Sequence, residues 1–123
     1  MAYQSSHTGQ EIDKAADFQS LTVTAGANTN VSAVYAWKVG RLLIVNGYIQ
    51  LTAGVAAGEE LFQIAGVKLQ ALTQLTVSPN GANGTPSKFR FQNTGGAAPV
   101  SCQAINAIST VSNYPVAIAL VLS

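Results

Sequence analysis

Hydrophobic residues are dense over residues 31–51, and their pattern predicts a β-hairpin at the centre of the fold. Gly40-Arg41 divides the segment into two apolar runs, and glycine supplies the positive φ angle that a two-residue hairpin turn requires. Alternate residues of a strand share a face. One face of the first run carries Val31, Ala33, Tyr35, Trp37 and Val39.

The second run of the hairpin is apolar on both of its faces. One face carries Leu43, Val45, Ile49 and Leu51, and the opposite face carries Leu42, Ile44 and Tyr48. A strand of this kind is covered on both sides. The pattern therefore predicts a compact β-domain that associates with further copies of itself.

Residues 20–123 show strand patterns throughout and form the predicted head domain. Further alternating or apolar segments cover residues 21–24, 59–64, 70–77, 88–92, 100–108 and 114–122. Turns rich in glycine and asparagine separate them. About eight short strands at intervals of about 8–12 residues predict an all-β fold, a jelly-roll-like antiparallel β-sandwich. The apolar phase slips between Ala104 and Ile105, which predicts a bulge there.

The last predicted strand, residues 114–122, is also apolar on both faces. Its larger residues are Val116, Ile118, Leu120 and Leu122, and they are expected in the core. Its opposite face carries Ala117, Ala119 and Val121. We expect this second face at a subunit contact, because a monomer would leave an apolar strand exposed.

Residues 1–19 form a separate N-terminal unit, a leader followed by one short helix. Thr8 and Glu11 have the spacing of a capping box, in which each side chain satisfies a free backbone N–H group. The helix is about eleven residues long, shorter than the about 12–15 residues at which an isolated helix is marginally stable. Its stripe of Ile12, Ala15 and Ala16 must therefore dock, either on its own β-domain or on equivalent helices of sister chains. The small alanines of this stripe allow close approach of neighbouring chains, but so short a helix does not fix the number of subunits.

Composition narrows the classes of partner. Hydrophobic residues make up 48% of the 123 residues and charged residues only 9%, against about 25% in a typical soluble domain. A net charge of +1, with basic residues scattered along the chain, argues against nucleic acid or an anionic membrane as partner. No signal peptide or transmembrane stretch is visible, so synthesis in the cytoplasm is expected. The single Cys102 is expected to be a buried thiol.

The residue types that catalysis and metal binding require are sparse. His7 lies in the leader, three of the five carboxylates belong to the helix, and the other two are Glu59 and Glu60. A glycosidase needs two carboxylates that flank one bond. We therefore expect no catalytic residue, no cofactor and no metal site, and we predict that the protein is not an enzyme. Glu59-Glu60 is interpreted as a solvated pair in preference to a pair of calcium ligands.

The aromatic residues allow two interpretations each. Trp37 is suited to stacking on a sugar ring, but its phase with Tyr35 favours burial in the core. Tyr48 and Tyr114 border apolar faces or loops, and subunit contact is favoured for both over ligand contact.

Polar loops supply the candidate ligand contacts. The candidates are Asn80, Asn83, Thr85, Arg90 and Asn93. Their amide, hydroxyl and guanidinium groups are suited to hydrogen bonds with sugar hydroxyls. Turn formation explains the same asparagines without a ligand, and we favour that interpretation. Arg90 itself lies on the strand at residues 88–92, whose Phe89 and Phe91 point inward and whose polar residues face water.

Two short motifs carry a family resemblance. The segment His7-Thr-Gly-Gln-Glu-Ile-Asp13 resembles the HTG-x-x-ID sequence that opens a short trimerising helix in many tail-fibre and baseplate proteins of tailed phages. The segment Val39–Ile49, followed by Gly58-Glu-Glu-Leu-Phe62, is similar to the G-x-hydrophobic-NG-x … G-x-x-LF core of phage fibre and receptor-binding head domains. Neither motif is catalytic.

The resemblance implies a parallel homotrimer in which a helical stalk precedes a β-sandwich head. It implies a virion component that contributes to host-surface recognition, with a cell-surface saccharide as ligand. The helix begins close to Met1, whereas most such proteins carry a long anchoring segment first. The alternative is therefore a structural head-fibre or a capsid or tail decoration protein, anchored to another virion protein through residues 1–19.

Overall fold

The computed structural model describes residues 18–80, 86–93 and 98–123. Within these residues the chain forms ten strands: β1 (Phe18–Leu21), β2 (Val23–Ala25), β3 (Thr29–Asn30), β4 (Val34–Val39), β5 (Leu42–Leu51), β6 (Glu60–Ile64), β7 (Thr73–Val77), β8 (Ser87–Asn93), β9 (Val100–Ala104) and β10 (Asn113–Val121). The part of the predicted helix that carries Ile12, Ala15 and Ala16 lies outside the described residues. The predicted end of the N-terminal unit at residue 19 is wrong, because Phe18 and Gln19 belong to strand β1 and pair with β4.

The strands form two antiparallel sheets that pack against each other, which confirms the predicted β-sandwich. The first sheet has the order β1–β4–β5–β10, with β3 pairing with β5. The second sheet has the order β2–β6–β9–β8–β7. The hairpin β4–β5 stays in the first sheet and the meander β7–β8–β9 stays in the second. At Thr22 the chain passes from β1 in the first sheet to β2 in the second.

The central hairpin forms where the sequence predicts it. Val39 pairs with Leu42, so that Gly40 and Arg41 make a two-residue turn. Gly40 has a φ angle of 59°, and Arg41 does not have a positive φ. This combination is that of a type II′ turn, whose twist matches the twist of the strands that it joins.

Aromatic and aliphatic side chains from both sheets fill the space between them. Phe62 and Phe91 are fully buried and meet edge to face, with ring centroids 6.0 Å apart. Phe89 and Cys102 are fully buried as well, as predicted. Tyr114 is also fully buried, and its hydroxyl donates a hydrogen bond of 2.7 Å to the carbonyl oxygen of Thr110. The predicted position of Tyr114 at a subunit contact is therefore wrong.

Gly47 is a position of β5 at which only glycine fits. It pairs with Val34 and has a φ angle of 124°, outside the range that L-residues adopt. A Cβ atom at this position would overlap the carbonyl oxygen of Ala33. The same carbonyl accepts a 3.2 Å hydrogen bond from the N–H group of Tyr48, so close approach of the two segments is part of the strand pairing.

Two local predictions are corrected by the strand pairing. Trp37 does not face the core, because Val34 and Ala36 occupy the inward positions of β4 and are 5% and 2% exposed. The bulge does not lie at Ala104, where β9 ends, but on β6, whose pairing with β9 shifts between Glu60 and Phe62. The shift lets consecutive residues of β6 turn into the core.

Candidate interaction surface

The outward side of the first sheet is an apolar surface, here called the apolar outer face. Its members are Phe18, Tyr35, Trp37, Val39, Leu42, Ile44, Tyr48, Ala117, Ala119 and Val121. Ser20, Asn46 and Pro115 complete it. No charged side chain belongs to these positions of β1, β4, β5 and β10.

Strand pairing aligns these residues in rows that cross the sheet. The first row contains Phe18, Val39, Leu42 and Val121, and the second contains Ser20, Trp37, Ile44 and Ala119. Residues opposed in this way have Cβ atoms about 4.5–5.5 Å apart, close enough for side chains to form one continuous surface. With the spacing of strands and residues, the face measures about 20 Å by 25 Å, or about 500 Å².

Exposure sets this surface apart from the rest of the described chain. Among the described residues seven large hydrophobic side chains are exposed, and five of them belong to the apolar outer face. Those five are Phe18, Tyr35, Leu42, Tyr48 and Val121, each between 41% and 55% exposed. A contiguous apolar patch of this size is comparable with the largest patch on a typical monomer, about 300–600 Å², and such patches are often functional.

Three aromatic rings form one end of the face. Tyr35 and Trp37 are two residues apart on β4, and their rings stack with centroids 6.0 Å apart and an angle of 14° between the planes. Phe18 on β1 lies next to Trp37, with ring centroids 6.3 Å apart. Aromatic side chains of this kind are enriched in protein interfaces and also serve as stacking platforms for sugars, so geometry allows both uses.

The outward side of the second sheet, the polar outer face, has the opposite character. It carries Thr24, Glu60, Gln63, Gln74, Thr76, Lys88, Arg90, Gln92, Ser101 and Gln103. Side-chain hydrogen bonds link its members: Gln92 Nε2 donates to Gln103 Oε1 at 3.1 Å. Gln63 Nε2 and Ser101 Oγ both donate to Glu60 Oε2, at 2.9 and 2.8 Å. The predicted outward positions of Lys88, Arg90 and Gln92 are confirmed.

Arg90 lies in the middle of the polar outer face. It pairs with Gln74 on one side and with Gln103 on the other. Its Nε atom is buried and has no hydrogen-bond partner within the described residues. A buried N–H group without an acceptor is costly, so this position lowers the stability of the described part of the chain.

The structure does not bring the predicted ligand residues together. Asn80 and Asn93 lie beyond opposite ends of the β7–β8 pair, about 20 Å apart along the strands. The side chain of Asn93 binds its own domain: Oδ1 accepts from the N–H group of Leu69 at 2.7 Å, and Nδ2 donates to the carbonyls of Val67 and Pro99. Asn83 and Thr85 lie outside the described residues. Of the predicted set, Arg90 is the one in the middle of a strand, half-buried between Gln74 and Gln103.

The predicted interface residues of β10 are brought together. Ala117, Ala119 and Val121 are exposed and lie side by side on the apolar outer face. Sequence reasoning missed the aromatic residues of this face. The predicted turn would have identified Trp37. A two-residue turn at Gly40-Arg41 pairs Trp37 with Ile44, and Ile44 lies on the outer face because Leu43 and Val45 face the core.

Both carboxylates of the described part have structural partners. Glu59 accepts hydrogen bonds from Asn28 Nδ2 at 2.9 Å and from the N–H group of Ala56 at 3.2 Å. Glu60 accepts the two bonds described above, and its charge lies close enough to Cys102 to raise the pKa of that thiol, after the larger effect of burial. Within the described ranges no three His, Cys, Asp or Glu side chains are grouped as metal ligands would be.

No protein-family model, curated protein or solved structure matches the chain. In the described part of the chain there is no helix with the length and apolar character needed to span a membrane.

Proposed function

We propose that this chain is a structural and binding component of a phage particle that works as a homotrimer, with the apolar outer face as its subunit contact. The observation that carries the proposal is the contrast between the two outer faces. The outer face of the first sheet presents apolar and small residues, whereas that of the second presents amides, hydroxyls and charges. The phage assignment rests on the motif resemblance described above.

The two outer faces can be compared within the same chain. An antiparallel sheet that faces water on one side alternates apolar and polar residues, as β8 does. Strand β5 instead has large apolar residues on both sides, with Leu43 and Val45 in the core and Leu42 and Ile44 outside. Because the same chain contains both patterns, its overall composition does not explain why the outer face of β5 is apolar. A covered face explains it.

The size of the face agrees with contact between copies. Two copies packed face to face would bury about 1,000 Å² in total, which is the least expected of a biological interface and lies below the standard range of about 1,200–2,000 Å². In a closed ring of three, each chain has two neighbours, which adds contact area. Ala117 and Ala119 on β10 are small, whereas Ile44 on β5 and Trp37 on β4 are bulky. The face is therefore uneven, and side chains of a neighbouring chain can interlock with it.

Light scattering coupled to size exclusion tests the proposal on the full chain. We expect a mass of three times 12.7 kDa for the trimer. Ala119→Glu places a charge in the middle of the apolar outer face and should give the monomer mass. Thr76→Glu is the matched control, since Thr76 is also exposed on a strand but belongs to the polar outer face. A monomeric wild-type chain, or a trimer that survives Ala119→Glu, would refute this assignment of the interface.

A second function, saccharide recognition, is favoured by the polar outer face. If neighbours cover the first sheet, the second sheet remains turned to solvent, with the three glutamines Gln74, Gln92 and Gln103 next to Arg90. Because the Nε atom of Arg90 is buried, a sugar hydroxyl would be bound through the terminal nitrogens of the same guanidinium group. Binding of host-cell glycans to the trimer, reduced by Arg90→Gln and unchanged by Lys88→Gln, is the expected result. No binding by the intact trimer would favour the purely structural role of a decoration protein.

The role of a decoration protein would require residues 1–19 to bind another virion protein. A chain that starts at Phe18 keeps β1 intact, because β1 begins at that residue. If the N-terminal unit anchors the protein to another virion protein, this shortened chain should fail to enter particles while the head retains any glycan binding. Incorporation of the shortened chain would exclude anchoring through that unit.

A further inference from the structure

One end of the sandwich contains a pocket that neither outer face includes. It lies where the β4–β5 turn, the segment that follows β6 and the end of β10 meet, and it has a volume of about 280 Å³. Gly40 and Arg41 contribute from the turn, Lys68 from the segment after β6, and Ser123 from the end of the chain.

Backbone hydrogen bonds hold these three segments in place. The N–H group of Leu122 donates to the carbonyl of Arg41 at 2.8 Å, and the N–H group of Ser123 donates to the carbonyl of Lys68 at 2.8 Å. The end of β10 is thus bonded to the first sheet on one side and to the segment after β6 on the other. The walls of the pocket are preformed, which lowers the entropy that a ligand would have to offset.

The pocket concentrates positive charge. Lys38, Arg41 and Lys68 all line it, which is half of the six lysines and arginines of the whole chain. Lys38 and Arg41 lie close together at the β4–β5 turn, and the fold brings Lys68, which is distant in sequence, next to them. Lys38 pairs with the fully buried Leu43, so it occupies an inward position of β4 at the mouth of the sandwich, and it is half-buried.

Acidic side chains of the described part do not line this pocket. Glu59 and Glu60 lie at the other end of β6 and bind Asn28, Gln63 and Ser101 instead. An acidic group at the end of the chain, where Ser123 lines the pocket, would offset one of the three positive charges. Three cations around a small concave space raise the local concentration of anions, and a bound anion relieves their mutual repulsion.

We propose that this pocket binds a compact oxyanion, the carboxylate or phosphate group of an acidic saccharide. Arg41 uses one donor on the carbonyl of Leu122, at 3.4 Å, which leaves it further donors for a two-pronged bond to an oxyanion. Lys38 and Lys68 supply point charges around it. The volume is just below the range of about 300–1,000 Å³ for ligand pockets, so the pocket has room for a single acidic sugar unit. The saccharide source rests on the proposed function above.

Titration calorimetry on the full chain at low salt tests this site. The probes are sodium phosphate, glucuronate, and glucose as the uncharged counterpart of glucuronate, with sodium chloride at equal ionic strength as baseline. We expect saturable binding of phosphate and glucuronate and none of glucose. Arg41→Gln and Lys68→Gln, both at exposed positions, should each weaken binding by about tenfold or more. Lys88→Gln, an exposed lysine of the polar outer face, should change binding by less than about twofold.

Each result of the calorimetry either supports or overturns the proposed anion site. Absence of saturable binding by both anions overturns the site, and so does equal weakening by Lys88→Gln, since that would indicate unspecific attraction. Binding of phosphate without glucuronate supports the oxyanion site and overturns an acidic sugar carboxylate as its source. Light scattering on the same samples tests the trimer separately. If the wild-type chain is trimeric but binds neither anion, the pocket is overturned and the trimer is not. If the Ala119→Glu monomer binds the anions, the site is contained within one chain.

Discussion

Trp37 and Ile44 face each other across the central hairpin on its outward side, so the single tryptophan of the chain points away from the core. The two-residue turn at Gly40-Arg41 imposes this pairing, and Tyr35 and Phe18 extend the aromatic surface on both sides of Trp37. The hairpin that anchors the fold is therefore also the one that offers the largest apolar contact surface.

Trp37 should report directly on subunit contact. In the proposed trimer a neighbouring chain covers Trp37, so quenching of its fluorescence by acrylamide should be weak. In the Ala119→Glu monomer the quenching constant should rise severalfold and the emission should shift to longer wavelength, because the indole becomes solvated. Equal quenching in wild type and variant, with the masses differing, would place Trp37 outside the interface.

Gly47 should be far less tolerant of substitution than other glycines with a positive φ angle. Gly47→Ala combines an unfavourable φ of 124° with overlap on the carbonyl of Ala33, and we expect a loss of about 3 kcal/mol or more in the free energy of unfolding. Gly58 is the control: its φ is 81° and a Cβ atom there meets no atom within 4 Å, so Gly58→Ala should cost about 1–2 kcal/mol. Urea unfolding midpoints measure both, and similar losses would contradict the steric argument.

Cys102 should make the protein less stable at alkaline pH. Burial, and then the charge of Glu60, raise the pKa of the folded thiol well above 9.0, whereas the thiol of an unfolded chain ionises near about 8.5. Ionisation of the unfolded chain alone favours unfolding, so this contribution to stability is present below the unfolded pKa and is lost as the pH rises above it. At pH 9.5 the loss should reach about 1.4 kcal/mol.

The control for this prediction is Cys102→Ala, which should be less stable at pH 7.5 because of the small cavity but should lose less stability between pH 7.5 and 9.5. Urea unfolding at the two pH values gives both numbers. An aromatic disulfide reagent should also react with Cys102 only after unfolding. Rapid reaction of the folded chain, or identical pH dependence of the two proteins, would show that the thiol is accessible.

Much of the fold follows from short-range signals in the sequence. The apolar faces of β5 and β10 and the glycine at Gly40 predict the hairpin and both sides of the last strand. The error at Trp37 arose because Lys38 shares a phase with Val34 and Ala36, which made the phase of Tyr35, Trp37 and Val39 the more apolar one. Periodicity on that strand alone therefore pointed to the wrong inward side. Pairing with β5 determines it, since Ala36 lies opposite Val45.

The candidate sites depended more on tertiary topology. Asn80 and Asn93 are close to the same strand in sequence, but the length of β8 separates them, and the amide of Asn93 is used within the domain. Lys38, Arg41 and Lys68 show the reverse case, since segments distant in sequence meet at one end of the sandwich. Spacing along the chain carries no information on either arrangement, because both depend on the order of strands in the two sheets.

Asn93 should be a structural residue in preference to a ligand contact. Its side chain satisfies the N–H group of Leu69 and the carbonyls of Val67 and Pro99, so it holds the segment after β6 against the start of β9. Asn93→Ala removes all three bonds and should lower the free energy of unfolding by about 2 kcal/mol. Asn93→Asp keeps the acceptor for Leu69 but sets a carboxylate against two carbonyls, so it should be destabilising as well.

Asn80→Ala is the matched control, because Asn80 is exposed and its recorded bond, to the carbonyl of Asn113, comes from its backbone N–H group. This variant should change stability by less than about 0.5 kcal/mol. Urea unfolding ranks the three proteins, and glycan binding by whichever of them remain folded separates structure from recognition. A stable Asn93→Ala protein that had lost glycan binding would return Asn93 to the ligand site, because its three internal hydrogen bonds would then contribute little to the folded state.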